Sequence, residues 1–308
     1  MTERSAGTAG REAAHGPAEH RRGLLFALAA FGFWGLIPIY FKAVGSVPPL
    51  EILAHRVVWS VPLVALLIPL FGSWGSVREA LRSRKTLATL ALSATLVATN
   101  WLTFIFGVTR GRILETSLGY YVNPLVNVLL GMIFLRERLT RLQTASVALA
   151  AAGTVHLALS YGALPWISLT LAFTFGFYGL LRKTVRIDSM GGLLVETSLL
   201  FPAAAIYLAV LGAKGAGSLG TGGLGISVLL VAAGAVTALP LIWFASAARR
   251  LPYSVLALCQ YISPSLTFLL AVLHYGETFT RAHAVAFSCI WTALAIFTFD
   301  MAHRRRSG

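Results

Sequence analysis

The feature that most constrains this chain is a succession of apolar stretches, each about as long as a membrane is thick, broken only by short charged or Gly/Pro-containing segments. A helix needs ~20 mainly apolar residues to cross the hydrocarbon core. Ten such spans fit, starting near Gly23, Leu50, Thr86, Ile113, Thr140, Ala163, Gly191, Gly225, Tyr253 and Arg281 and closing near Met301. Composition agrees, since 57% of the 308 residues are hydrophobic and 12% are charged, against roughly a quarter charged in a soluble domain. The longest polar stretches are the first 22 residues, Gly72 to Lys85 and Gly212 to Gly225, which leaves no room for a soluble catalytic domain. Arg21 and Arg22 precede an apolar run that continues to Phe41 without a small-residue cleavage site, so it reads as a retained helix rather than a signal peptide.

A net charge of +14 points to nucleic acid in a soluble protein, but here its distribution matters more than its sum. With the amino terminus inside, nineteen Lys/Arg fall on the inner side, five on the outer side, and Arg56 lies within a span. By the positive-inside rule both termini are then cytoplasmic, and the basic charge needs no nucleic-acid partner. The basic end, His303 to Arg306, is a topology anchor on this reading. Cys259 and Cys289 fall inside spans, too few for a metal cluster and badly placed for a disulfide, and read as packing residues.

The chain repeats itself. FGFWGL at Phe31 to Leu36 returns as FGFYGL at Phe175 to Leu180. YVNPLVNVLLGMIFLRERLTR, from Tyr121, aligns with YISPSLTFLLAVLHYGETFTR, from Tyr261, at an offset of 140 with seven identities. The same offset pairs Arg110 with Arg250, Phe104 with Phe244 and Pro62 with Pro202. Two halves of five spans each enter the membrane from opposite sides, an inverted-topology repeat characteristic of secondary transporters, whose sites lie near the midplane. The expectation is an all-α polytopic membrane protein of ten transmembrane helices as two inverted five-helix repeats. Its divisions are a disordered cytoplasmic leader 1–22, repeats 23–160 and 161–302, and a basic tail 303–308.

Ionisable residues inside a span are expensive and therefore functional candidates. The repeat sets Arg56 against Glu196, opposite charges in equivalent places. They are expected to face a central cavity, either paired with each other or binding the two ends of a zwitterion; a structural ion pair or two separate interfacial charges is the alternative. Asn100 and Trp101 lie mid-span. In the next helix Ser117, Tyr120, Tyr121, Pro124 and Asn127 recur at spacings of three and four, with Asn123 beside them. Pro124 and its counterpart Pro264, next to Gln260 and Tyr261, suggest broken helices at a binding site or plain packing kinks. Trp34 and Tyr178 in the two hexapeptides are either rings lining a shared cavity or, with their flanking glycines, packing elements.

Other signals are set aside. GAGSLG at Gly215 to Gly220 fits a dinucleotide pattern but follows an apolar helix, not a strand. His156, His274 and His283 lack metal-ligand spacing. Glu137 and Glu277, each three residues before a Thr, read as caps or pins of helix junctions rather than proton carriers. No HExxH or nucleophile–base pairing is visible in the spans, so neither enzyme activity, a metal nor a cofactor is expected.

FWGLIPIYFK, HRVVWS, NWLTFIFGVTRGRILETSLGYYVNPL, FGFYGLLRK, ARRLPYSVLALCQYISP and HYGE resemble the RarD branch of the EamA-type proteins in the drug/metabolite transporter superfamily. The resemblance covers about Gly23 to Met301. It implies an inner-membrane permease of ten helices, with a cavity between helices one to four and six to nine and peripheral fifth and tenth helices, and it supplies no substrate. The expected function is a secondary transporter of a small metabolite or drug-like solute. A lipid-handling or scaffold membrane protein is the alternative. Expected partners are the solute and membrane lipids, with a homodimer left open.

Overall fold

A computed structural model of the chain describes residues 17–71, 74–135, 140–161, 165–248, 250–251 and 259–307, and among these the regular structure is helical throughout. The elements are α1 (Pro17–Ala43), α2 (Pro49–Leu67), α3 (Trp74–Arg82), α4 (Arg84–Thr109), α5 (Ile113–Leu135), α6 (Arg141–Tyr161), α7 (Trp166–Thr184), α8 (Ser189–Ala213), α9 (Gly223–Ala248), α10 (Ile262–Leu269) and α11 (Arg281–Ser307). Seven segments among the described residues are long and apolar enough to cross a membrane: Ala18–Ala43, Pro49–Leu70, Arg84–Thr109, Arg141–Ser160, Met190–Ala213, Gly223–Phe244 and Arg281–Asp300. The chain is thus a multi-pass membrane protein. α5, α7 and the shorter apolar segment Ile262–His274 lie where three further spans are expected, the start of the last, near Tyr253, falling outside the described residues.

Local chemistry sets the helix ends. Pro49 opens α2, where a missing N–H costs nothing. The Ser83 hydroxyl accepts from Thr86 N at 3.2 Å to start α4, and the Asp188 carboxylate accepts from Gly191 N at 2.9 Å to start α8. Between α4 and α5 the chain reverses in three residues, which Gly111 permits with φ of 74°. The amino end of α5 is capped from far along the chain: Glu277 takes Ile113 N at 2.7 Å on Oε1 and Leu114 N at 2.8 Å on Oε2. The capping role read for this residue therefore holds. Its counterpart Glu137 lies outside the described residues.

Two boundaries differ from expectation. α1 begins at Pro17, inside the segment 1–22 read as disordered leader, because Glu19 ties that first turn to Arg22 and to Arg250 Nε, each at 3.0 Å. Within the polar stretch Gly72 to Lys85 lies the short amphipathic helix α3, which buries Val77 and Ala80 and exposes Arg78, Glu79 and Arg82.

The helices pack in pairs. α2 lies between α8 and α9, α1 against α9 and α10, α7 against α4 and α5, and α5 also meets α10. α6 and α11 pair with each other, with Gly153 so close to Ala286 and Cys289 that a Cβ there falls 2.7 Å from the Cys289 Cβ. Both cysteines are free thiols. The glycines of the two hexapeptides differ in role. Gly35 is a close approach of α1 to α10, where a Cβ falls 2.7 Å from Leu266 Cβ, whereas Gly32 and Gly179 meet no atom within 4 Å.

The proline pair is also unequal. α5 runs through Pro124 without interruption, while the chain turns at Gln260 and Tyr261 and α10 starts at Ile262, so Pro264 falls in a first turn. The hydroxyls of neighbouring side chains satisfy the backbone around this break. Ser117 donates to Pro264 O at 2.8 Å, Ser265 donates to Tyr261 O at 2.7 Å, and Tyr121 OH meets Ser265 Oγ at 2.6 Å. A π turn, Leu270–His274, follows.

Candidate functional site

Two buried polar centres form on the paired helices α2 and α8. Arg56 is the seventh residue after the start of α2 and Glu196 the seventh after the start of α8. Both are almost fully buried, at 5% and 1% exposure. The two helices run antiparallel, since Glu51 near the start of α2 bonds Ser218 beyond the end of α8 and Asp188 before the start of α8 bonds Ser76 beyond the end of α2, so equal distances from their starts mean different depths. At 1.5 Å per residue each group stands ~10 Å in from its own end. They therefore occupy different levels and do not pair.

The first centre surrounds Arg56. Its guanidinium lies over the Trp101 ring, 4.5 Å from the centroid, and 5.4 Å from that of Phe41, and Nε donates to Thr237 Oγ1 at 3.0 Å. Among the described residues the Arg56 side chain makes no ion pair and no other hydrogen bond. A desolvated cation–π contact is worth ~2 kcal/mol and a charged hydrogen bond roughly 1.5–3 kcal/mol, against several kcal/mol to bury the ion. A balanced site would hold an anion as well. Beside it, Tyr120 OH donates to Asn100 Oδ1 at 3.1 Å, and Asn100 Nδ2 donates to Leu171 O and Thr174 Oγ1, both at 3.0 Å, fixing the amide against α7.

The second centre surrounds Glu196. Oε1 accepts from Ser93 Oγ at 2.5 Å and lies 3.9 Å from Arg182 Nη1, and Oε2 accepts from Tyr178 OH at 3.4 Å. Arg182 is held by Nη2 donating to Asp188 O at 3.0 Å, and Gly192 leaves the space its guanidinium fills. The ion partner of Glu196 is thus Arg182, and the expected Arg56–Glu196 pairing is replaced by two separate centres for the depth reason given above.

A line of rings joins the two levels. Phe41 and Phe104 centroids are 5.8 Å apart, Phe104 and Tyr120 5.7 Å, Tyr120 and Phe175 6.1 Å, and Phe175 and Tyr178 5.8 Å. Arg56, Trp101, Asn100, Tyr120, Tyr178 and Glu196 therefore belong to one connected polar and aromatic core.

The other candidates lie elsewhere. Asn123 ties α5 to α7 by donating to Ala172 O at 3.0 Å. Tyr121 and Tyr261 line a 640 Å³ groove with Ser265, Phe268 and Trp291, beside α11. Gln260 sits half-buried in the turn before α10. Trp34 packs on Phe31 at 5.6 Å and Phe244 at 5.8 Å, so Trp34 and Tyr178 have different surroundings. Sequence reading missed Tyr40, Thr237, Ser93 and Arg182. Only Arg182 carried a signal, standing four residues after Tyr178 on the same helix face.

It also missed a buried pair near the amino end of α2. Glu51 accepts from Ser218 N at 2.5 Å and from Ser218 Oγ at 3.0 Å, and lies 4.0 Å from His55 Nε2, whose Nδ1 accepts from Trp59 Nε1 at 3.2 Å. The GAGSLG segment is thus a loop whose amide faces a carboxylate. Among the described residues no cluster has the makings of a metal site.

Residues 21–159 match the model of the EamA-like transporter family. The RarD protein of Salmonella typhi is 48% identical over 93% of this chain and 97% of its own length, and that of Escherichia coli strain K12 is 45% identical over the same shares. The chain belongs to the RarD branch of the EamA-like transporter family. A Vibrio cholerae relative in this branch, described as an uncharacterized transporter, is 49% identical over 91% of this chain and 93% of its own. A solved crystal structure aligns over 89% of this chain with a TM-score of 0.57 at 18% identity, a likeness of fold alone. Family membership and the transporter names of its relatives support a multi-pass bacterial membrane transporter.

Proposed function

We propose that the protein is an inner-membrane secondary transporter of a small solute, working by alternating access between two inverted five-helix repeats, 23–160 and 161–302, with both termini cytoplasmic. The observation that carries this reading is a pair of polar latches joining the halves at opposite ends. On the outer side Glu277 caps α5 and Glu51 holds Ser218, while on the inner side Arg250 Nε bonds Glu19 and Ser76 bonds Asp188. With both sets made, the core containing Arg56 and Glu196 is occluded. Releasing one set at a time exposes it to one side only.

The helix pairing supports the same reading. Exchange of the halves converts the contacts of α1 with α9 and α10 into those of α7 with α4 and α5, and the family match ends within one residue of the first proposed repeat. The groove at Tyr121 and Tyr261 does not favour lipid handling, since its polar groups are hydroxyls and the Trp291 indole N–H and offer a headgroup no charged track. Arg56, Glu196, Asn100, Trp101, Tyr120 and Tyr178 form the proposed solute path. The test is purified protein in proteoliposomes incubated with whole metabolite extract, with and without a pH gradient, followed by mass spectrometry of the trapped contents. Enrichment of a solute over empty liposomes is expected, and none under either condition contradicts the reading.

A further inference from the structure

Arg56 differs from the buried charges around it. Glu196 has Ser93, Tyr178 and Arg182, and Glu51, one turn toward the outer end of α2, has both oxygens on Ser218 and faces His55. The Arg56 side chain has one hydrogen bond, to Thr237, and two ring faces, and among the described residues its other donors meet no acceptor. Tyr40 and Tyr120, the phenols near it, spend their hydroxyls on Leu229 O at 2.9 Å and on Asn100 Oδ1 at 3.1 Å. The fold has fixed a guanidinium inside the membrane without its counter-ion. A guanidinium fork is matched by a planar oxyanion, which it binds through two parallel hydrogen bonds.

The surroundings constrain the rest of a ligand. From Phe41, which lies under the guanidinium, the ring contacts step through Phe104, Tyr120 and Phe175 to Tyr178. At the far end Glu196 is already matched by Arg182. Among the described residues the core therefore offers one guanidinium without a counter-ion, packed among ring faces and edges, and no unmatched negative charge for an ammonium group.

Resting on the transporter reading above, we infer that Arg56 is the receptor for an oxyanion on the cargo, and that the cargo is an organic anion rather than a zwitterion or a cation. Thr237 and Trp101 hold the guanidinium in place for it. Arg182 keeps Glu196 from repelling it as it passes inward.

The test divides a whole-cell metabolite extract by anion exchange into a retained and a flow-through fraction and offers each to proteoliposomes, with mass spectrometry of the trapped solutes. The trapped solute is expected to come from the retained fraction, and its formula distinguishes carboxylate from phosphate or sulfate. R56Q, monodisperse on size exclusion, is expected to lose at least tenfold of that uptake, with R56K keeping part of it. Uptake confined to the flow-through fraction overturns the inference while leaving the transporter reading intact, and so does undiminished uptake by R56Q. Uptake from neither fraction overturns both. The fraction arm uses the unaltered protein and decides the question even if the variants fail to fold.

Discussion

Arg56 and Glu196 are equivalent in the internal repeat and yet stand at different depths, each seven residues from the start of its own helix, with separate partners. The antiparallel packing of α2 and α8 explains this. Glu51 near the start of α2 bonds Ser218 beyond the end of α8, and Asp188 before the start of α8 bonds Ser76 beyond the end of α2, so equal distances from the two starts fall at different levels.

Double-mutant cycles read the pairing directly. Arg182→Met with Glu196→Gln is expected to show a coupling of ~1–3 kcal/mol, as residues in one network do, whereas Arg56→Gln with Glu196→Gln is expected to add within ~0.5 kcal/mol. Thermal unfolding in detergent supplies the four midpoints of each cycle. Strong coupling of Glu196 to Arg56 contradicts the assignment of partners.

The hexapeptide glycines give a packing prediction. Gly35→Ala drives a Cβ to 2.7 Å from Leu266 Cβ and 3.1 Å from Ser263 O, so it should cost ~1–3 kcal/mol. Gly32→Ala and Gly179→Ala meet nothing within 4 Å and should be neutral or stabilising by up to ~1 kcal/mol. Unfolding midpoints of the three variants check the order.

Glu277 supplies a pH dependence. Burial pushes its carboxyl above the ordinary value of 4.5, and this outweighs the lowering by the Leu114 and Ile113 amides and Lys42. The folded protein therefore takes up this proton before the unfolded chain does. The group's contribution to stability is greatest below 4.5 and falls as pH rises through the raised value. The unfolding midpoint of the unaltered protein, measured against that of Glu277→Gln, should rise as pH is lowered through that window. A difference that is flat or falls on acidification contradicts this.

Topology is testable by single cysteines in a variant lacking Cys259 and Cys289. Lys214→Cys should react with an impermeant thiol reagent from outside whole cells, and Arg84→Cys only after permeabilisation. Both positions are exposed. The reverse pattern excludes cytoplasmic termini.

Much of this was legible in the sequence because hydropathy and helix capping act over short distances. The apolar runs located α5 at Ile113 and α11 at Arg281 to the residue, and the Glu of HYGE was readable as a cap. What escaped depended on depth and on which face each helix turns inward. Equivalence in the repeat suggested that Arg56 meets Glu196, but equivalence says nothing of level. Tyr121 and Tyr120 are adjacent in sequence, so a helix turns them ~100° apart, one toward Ser265 and the groove and the other toward Asn100 and the core. Residue type alone could not separate them. α3 was hidden because it is only 9 residues long and buries only Val77 and Ala80.

The central claim is that the two latches open in turn. Spin labels at Ser46 and Lys214 report the outer separation of the halves, and labels at Arg84 and Arg186 the inner one, all four sites being exposed. Pulsed electron paramagnetic resonance in lipid, with the solute found by the uptake assay, should show a longer outer distance only in states that keep the inner distance short, and the converse. Both distances lengthening together, or neither changing, would contradict alternating access.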